Sequence, residues 1–202
     1  MNTALRKTVQ AIFFFFFLFL FFTGKIQIWM VIFLGSAFLA LFLGRFYCGW
    51  ICPINTMMQV ITKAKKIIGV RNLSIPAFIK KPLTRCLILA IFIAAFLFIK
   101  ISGQQLPLLL FLFISGAVLT LLFSETIWHR YLCPFGTILT LISKKPLHYL
   151  KIDAPNCLQC GLCAQICPGE AIKKEPVFQI DKELCLQCLN CSQHCPKEAI
   201  HF

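Results

Sequence analysis

The cysteines are the residues of this chain whose spacing most clearly predicts chemistry. Eight of the 12 cysteines form two runs near the C-terminus, and each run separates its four members by two, two and three residues before a proline. The first run is Cys157, Cys160, Cys163 and Cys167, and the second is Cys185, Cys188, Cys191 and Cys195. This spacing is typical of thiolates that hold [4Fe–4S] clusters. The runs therefore predict two clusters that take up and release single electrons.

Structural zinc and a disulfide scaffold are the two alternative uses of so many cysteines. Zinc sites usually pair two C-x2-C units across a longer stretch, which is not the spacing here. Disulfides persist in oxidising compartments, whereas the orientation derived below places both runs in the cytoplasm. Both comparisons favour iron–sulfur ligation.

The rest of the chain has the composition of a membrane protein. It is 59% apolar with 22 phenylalanines, and all seven acidic residues lie at or beyond Glu125. Four apolar segments predict transmembrane helices: Thr8–Thr23, Ile28–Gly44, Cys86–Ile99 and Leu106–Phe123. The predicted fold class is an α-helical membrane protein, with four transmembrane helices as two hairpins, followed by a small α+β two-cluster ferredoxin-like C-terminal domain.

Lysine and arginine placement predicts the orientation of these spans. Only Lys25 and Lys100 lie in the two turns, while the other 18 of the 20 basic residues lie at the N-terminus, in the loop 45–85 or after the fourth span. The positive-inside rule then places both termini and the cysteine runs in the cytoplasm, in a multi-pass protein of the cytoplasmic membrane. Anionic lipid headgroups account for the net charge of +13 more simply than nucleic acid does. A cleaved signal peptide is the alternative for the first segment, but no small-x-small cleavage site follows Phe22.

The sequence repeats internally at two offsets. Residues 131–137 echo residues 50–56 at an offset of 81, so each predicted hairpin leads into a Cys-Pro motif and a short basic stretch. The two cysteine runs repeat at an offset of 28. We predict a transmembrane domain at 1–147, with motif repeats at 44–66 and 126–145, and a ferredoxin-like domain at 148–202. A domain as small as the second needs its metal centres to fold.

The stretch after the first Cys-Pro motif is amphipathic. Its apolar positions are Ile54, Met57, Met58 and Ile61, and three lysines lie at its end. Such a helix suits the lipid interface, and a helix packed within the protein is an equally good interpretation.

The last 50 residues resemble the bacterial two-cluster ferredoxins in both halves. In those proteins the fourth cysteine of each run ligates the other cluster. The resemblance implies that Cys157, Cys160, Cys163 and Cys195 hold one cluster, and that Cys185, Cys188, Cys191 and Cys167 hold the other. Leu189 stands where the first half has Gly161, so we expect the two clusters to differ in potential.

Residues 44–53 and 128–136 look like the paired Cys-x3-Cys-Pro motifs of membrane polyferredoxins, the NapH-type quinol dehydrogenase subunits and their relatives. The second motif departs from that pattern because His129 occupies the place of its first cysteine. Cys48, Cys52, Cys133 and His129 are therefore candidate ligands of a third iron–sulfur or metal centre. The alternative is an interfacial His129 with thiols that are packed or form a regulatory disulfide.

These features predict an electron-transfer subunit rather than a complete enzyme, and no catalytic residue is indicated. The resemblance implies that the chain associates with the lipid membrane and with another redox protein or subunit. A quinone is a candidate membrane carrier. The alternative function is an iron–sulfur membrane protein for assembly, metal reduction or redox regulation of a partner oxidoreductase. We see no phosphate-binding loop, flavin motif or haem-attachment motif.

Overall fold

The computed structural model describes residues 3–102 and 108–202. Residues 103–105 of the second predicted turn, and the first two residues of the fourth predicted span, lie outside these ranges. The described chain is mostly helical, with four short strands near its end.

Nine α-helices and one π-helix are present in the described residues. The α-helices are α1 (Thr3–Phe22), α2 (Gln27–Leu43), α3 (Phe46–Trp50), α4 (Pro53–Ile68), α5 (Pro82–Ser102), α6 (Leu108–Leu122), α7 (Pro134–Ile142), α8 (Leu162–Gln165) and α9 (Asn190–Gln193). The π-helix is Ile127–Leu132, and the strands are β1 (Lys151–Ile152), β2 (Ile172–Lys174), β3 (Phe178–Ile180) and β4 (Ile200–His201).

Four of these helices coincide with the apolar segments of the sequence. Among the described residues, Ala4–Phe22 and Pro82–Ser102 are long and apolar enough to cross a membrane, whereas α2 and α6 are apolar but shorter. No residue of α5 is buried, so the chain leaves this apolar helix without a covering of its own. These helices support membrane association.

The chain divides into two compact units, which are residues 1–56 with 139–202, and residues 57–138. In the first unit, Trp29 of α2 is 1% exposed, and its ring lies 5.2 Å from that of Phe17 of α1. Its indole Nε1 donates to the Tyr47 hydroxyl at 2.9 Å. Trp29 of α2 thus joins α1 and α3, because its ring packs against α1 and its N–H donates to a side chain of α3.

In the second unit, Lys65 holds the C-terminal end of α6. Its Nζ donates to the carbonyl oxygens of Thr120 at 2.9 Å and Phe123 at 3.1 Å. A cation at this end satisfies helix carbonyls and opposes the negative end of the helix dipole. Ile54 and Met58, on the apolar face of α4, are 2% and 0% exposed. Burial of these two side chains fits a packed helix, whereas Ile67 and Ile68 at the end of α4 are 86% and 75% exposed, so both interpretations of α4 stay predictions.

The repeat at offset 81 extends to the backbone. The N–H of Cys52 donates to Tyr47 O, and the N–H of Cys133 donates to Trp128 O, both at 2.9 Å and both five residues back. Each cysteine carbonyl then accepts from the threonine four residues later, Thr56 or Thr137. The same local turn therefore precedes α4 and α7.

The C-terminal strands relate the two cysteine runs by a second internal symmetry. β1 pairs antiparallel with β4 and places Ile152 opposite Ile200, while β2 pairs antiparallel with β3 and places Ile172 opposite Ile180. Ile180 is the counterpart of Ile152 at the offset of 28, and Ile200 is the counterpart of Ile172, so exchanging the two halves converts one pairing into the other. Each small sheet therefore takes one strand from each half of the tail.

Candidate iron–sulfur sites

Two cavities in the tail are each lined by cysteines from both runs. The first cavity, of about 370 Å³ including the space that opens to solvent, is lined by Cys157, Cys160, Cys163 and Cys195. The second, of about 330 Å³ on the same basis, is lined by Cys167, Cys185, Cys188 and Cys191. We call these the first-half and second-half sites. They bring together the two cysteine sets that the ferredoxin resemblance implies.

Left-handed backbone conformations shape the loops around both sites. Gln159 and Gln187 have φ values of 53° and 52°, and the next pair at offset 28, Gly161 and Leu189, have 78° and 60°. The backbone N–H of Gln159 donates to Cys157 Sγ at 3.4 Å, and the backbone N–H of Gln187 donates to Cys185 Sγ at 3.4 Å. Such N–H groups stabilise thiolate sulfur and influence the potential of a bound cluster. Leu189 adopts this conformation at a cost that glycine avoids, about 1–2 kcal/mol.

The electrostatics of the thiols fit a bound cationic metal group. Burial raises the pKa of Cys185 to about 12, and the Gln187 amide lowers it by less. Burial also raises the pKa of Cys191, and the neighbouring Cys188 and Cys185 raise it further. Burial likewise raises the pKa values of Cys163 and Cys167. Without a metal these thiols would keep their protons near neutral pH, and bound iron supplies the positive charge that favours thiolates.

Among the described residues, no three His, Cys, Asp or Glu side chains are placed to share one metal ion. A cubane does not need such a group, because each of its four thiolates binds a different iron atom. Four soft sulfur donors around one cavity instead suit an iron–sulfur cluster. The donor set and the cavity fit the predicted cofactor.

The two sites differ sharply in exposure although each contains the tetrapeptide Cys-Leu-Gln-Cys. In the first half, Leu158 is 60% exposed and both Gln159 and Cys160 are exposed. In the second half, Leu186 and Gln187 are each 3% exposed and Cys188 is buried. The cause is a second segment of the same compact unit, residues 44–50, which covers the second copy.

Segment 44–50 contacts the second tetrapeptide through backbone and side chains. Trp50 Nε1 donates to Gln187 O at 3.1 Å, and a Cβ on Gly49 would overlap Leu186 O. Trp50 also belongs to the core that contains Leu184, Leu189 and Ile200 of the tail. Glycine at position 49 therefore permits a close backbone approach, and the tail core is completed by a residue from outside the tail.

Two buried arginines approach the second-half site from this side. Arg45 is 1% exposed, and its guanidinium lies 3.4 Å from Leu184 O and 4.0 Å from Cys48 Sγ. Arg6 is 4% exposed, and its Nη2 donates to Asn190 Oδ1 at 3.2 Å. Asn190 lines the second cavity. Sequence reasoning missed both arginines because it counted them only among the basic residues that orient the membrane spans.

The candidate ligands of a third centre lie in different parts of the fold. Cys48 is buried in α3 and Cys52 precedes α4, both in the first compact unit. His129 is buried in the π-helix and Cys133 precedes α7, both in the second unit. Cys133 Sγ accepts from the Gly136 amide at 3.3 Å, as a helix-capping side chain does. The third centre stays a prediction.

Comparisons with known proteins agree with the cysteine geometry. Residues 26–76 and 105–152 match a family described as a 4Fe-4S binding domain, and residues 156–199 match a 4Fe-4S dicluster domain. The two matches together cover most of the chain. The chain belongs to the ferredoxin-type 4Fe-4S proteins.

Several known proteins have sequences similar to this chain. An uncharacterized protein from Methanocaldococcus jannaschii is 30% identical over 70% of this chain and 58% of its own length. The putative electron transport protein YccM of Escherichia coli is 27% identical over 69% of this chain and 45% of its own length. The ferredoxin-type protein NapH of Haemophilus influenzae is 28% identical over 71% of this chain and 56% of its own length. The chain thus spans about half the length of these relatives. No solved structure matches it.

Proposed function

We propose that this chain is a membrane-bound electron-transfer protein that holds two [4Fe–4S] clusters and passes single electrons between a membrane carrier and a redox partner. The observation that carries this proposal is the pair of cavities, each lined by four cysteines drawn from both runs. The match to a dicluster domain supports the count of two. The similar protein YccM is named as a putative electron transport protein.

The chain's own residues supply what a relay between such cofactors requires. Cys195 closes the first-half site and Cys167 closes the second, so each run contributes to both sites. The two cofactors are then held in one small domain, 148–202, close enough for a relay. When bound, each cluster supplies one-electron chemistry. The covered second-half site restricts water, whereas the first-half site is partly open to solvent. The backbone N–H groups of Gln159 and Gln187 stabilise negative charge on sulfur in both.

The membrane part of the proposal is a four-span arrangement of α1, α2, α5 and α6 as two hairpins within 1–147. The 17 residues of α2 reach about 25 Å at 1.5 Å per residue, so even an upright α2 needs flanking residues or a locally thinner bilayer to span about 30 Å of hydrocarbon. Support comes from the exposed apolar side chains, such as Phe15 of α1 and Phe111 of α6, each 68% exposed. Basic-residue placement favours cytoplasmic termini and a cytoplasmic tail.

Anaerobic purification in detergent, followed by iron and sulfide analysis and a redox titration monitored by EPR, tests the cofactor proposal. Two clusters give about eight iron atoms per chain and two one-electron signals. A larger iron content that falls when His129 or Cys48 is replaced by alanine would identify the third centre. Colourless protein that binds zinc and gives no signal after dithionite treatment would overturn the proposal.

Reduction of the clusters by a quinol in proteoliposomes tests the membrane carrier. Dithionite serves as the control that the clusters are intact. Clusters that dithionite reduces but a quinol does not would exclude the quinol and leave the iron–sulfur assignment standing. Unchanged metal loading of a partner oxidoreductase in a deletion strain would argue against the alternative role in assembly.

A further inference from the structure

The charges around the two sites are as unequal as their exposure. Arg45 and Arg6, which we call the arginine pair, are buried beside the second-half site. The lysine that lines the first-half site, Lys197, is exposed. Solvent screens an exposed charge strongly, whereas a buried charge acts through a lower effective dielectric. The arginine pair therefore acts on one site much more strongly than Lys197 acts on the other.

A buried guanidinium needs negative charge nearby. It keeps its proton at every physiological pH, so its positive charge is present in both redox states of the site. Arg45 contacts a sulfur atom and the carbonyl of the residue before Cys185, and Arg6 contacts a residue of the cavity wall. The four thiolates of a loaded site provide the negative charge that these positions suit.

Reduction adds one further negative charge to a cluster site. A fixed cation nearby stabilises the reduced form more than the oxidised form and so raises the reduction potential. We propose that the arginine pair raises the reduction potential of the second-half site above that of the first-half site. A single electron that enters the two-cluster domain then resides at the second-half site. When the electron passes from the first-half site to the second-half site, the first is oxidised by one electron and the second is reduced by one electron.

This inference rests on the proposed function, and its result can be read separately. The measurement is an EPR-monitored redox titration of the anaerobic, detergent-solubilised holoprotein, with iron content determined on the same sample. Cys157→Ser identifies the first-half signal, because an oxygen ligand changes the spectrum of that site. Absence of two clusters from the wild-type protein defeats the proposed function, whereas two clusters with equal potentials defeat only the inference.

Arg45→Gln is the main variant. We expect it to change the equilibrium constant for reducing the second-half site at least tenfold, which is 59 mV for a one-electron couple, toward lower potential. The first-half signal should stay in place. Arg45→Lys should retain most of the wild-type potential because the charge is kept, and Arg6→Gln should shift the same signal in the same direction.

Two controls separate charge from packing. Lys197→Gln removes one exposed positive charge near the first-half site and should move neither signal. Gln187→Ala removes the hydrogen bond from Gln187 Nε2 to His148 O at the covered face without removing a charge. If Gln187→Ala shifts the second signal as far as Arg45→Gln does, packing and not charge sets the potential.

Two further outcomes overturn the inference. One is that Arg45→Gln keeps its iron and both signals stay at their wild-type potentials. The other is that both signals move together by the same amount. Should Arg45→Gln lose its iron, Arg6→Gln and Arg45→Lys decide the question by the same criteria.

Discussion

The two Cys-Leu-Gln-Cys tetrapeptides, at 157–160 and 185–188, have the same sequence and nearly the same backbone but different surroundings. Both hold glutamine at a φ close to 50°. In both, the backbone N–H of that glutamine donates to Sγ of the first cysteine at 3.4 Å. Leu158 is nevertheless 60% exposed while Leu186 is 3% exposed. The local sequence determines the shape of the ligand loop, and the segment that packs on it determines the environment of the site.

This contrast separates two properties that are easily treated as one. Holding a cluster requires the loop, which both halves have. Setting its potential and its access to solvent requires neighbours, which only the second half receives from segment 44–50. The two copies therefore differ in access to solvent, which is open at the first-half site and restricted by segment 44–50 at the second-half site.

Removal of iron should have the largest effect, because it abolishes both sites at once. We expect the apoprotein to lose amide-exchange protection throughout 148–202, since ligation free energy contributes to the folding of so small a domain. Helices α1 and α2 should keep their protection, because Trp29 and the phenylalanines around it do not depend on metal. Hydrogen exchange of holo and apo protein in detergent measures this, and unchanged protection of the tail would contradict it.

Limited oxidation should destroy the two sites in sequence. Susceptibility to oxidants follows exposure, and Cys160 is exposed whereas Cys188 is buried. During titration with ferricyanide, we expect the first-half signal to disappear while the second-half signal persists. EPR of aliquots re-reduced with dithionite after each addition gives the order, because ferricyanide also silences an intact cluster by oxidising it. Simultaneous loss of both re-reduced signals would mean that covering by segment 44–50 does not protect the second site.

Gly49→Ala tests whether close packing is required at the covered copy. The new methyl group would overlap Leu186 O, so the loop must move, at a cost of about 1–3 kcal/mol. Gly35→Ala in α2 is the matched control, because a Cβ there meets nothing within 4 Å and alanine is the better helix former. Thermal unfolding in detergent should show a lower midpoint for Gly49→Ala only. Equal midpoints for the two variants would contradict the close contact between the backbones of Gly49 and Leu186.

Gln187→Ala compared with Gln159→Ala gives the smallest expected effect and the most direct comparison of the two copies. The Gln187 side chain is buried and donates to His148 O at 2.8 Å, so its loss should destabilise the protein by about 1 kcal/mol. Gln159 is exposed, and its replacement should change stability little. Equal effects in the same unfolding assay would show that the two environments do not differ as described.

Much of the fold could be predicted from the sequence, because it depends on short-range patterns. The apolar segments locate α1, α2, α5 and α6, and the C-x2-C-x2-C-x3-C-P spacing locates the ligand loops. These signals lie within a few residues of the elements they predict. The grouping of each run's first three cysteines with the fourth of the other run came from the ferredoxin resemblance.

The environment of the sites could not be predicted in this way. Arg45 looks like any basic residue after a membrane span, yet it is buried against Leu184, 139 positions further along the chain. Nothing within Cys185–Cys188 distinguishes that tetrapeptide from the one at Cys157–Cys160. The difference arises from long-range packing, which periodicity and motif spacing do not report. Trp50 was counted only as part of a motif, although it completes the core of the tail.

Strand pairing in the tail has a consequence for any attempt to divide it. Among the described residues β1 pairs with β4, and β2 with β3, while Cys167 and Cys195 each line the cavity of the opposite run. A peptide that contained one run alone would keep three ligands of one site and one of the other, with both of its strand edges open. Two identical copies of such a peptide could satisfy each other, so a single half is expected to assemble as a pair of chains rather than to fold alone.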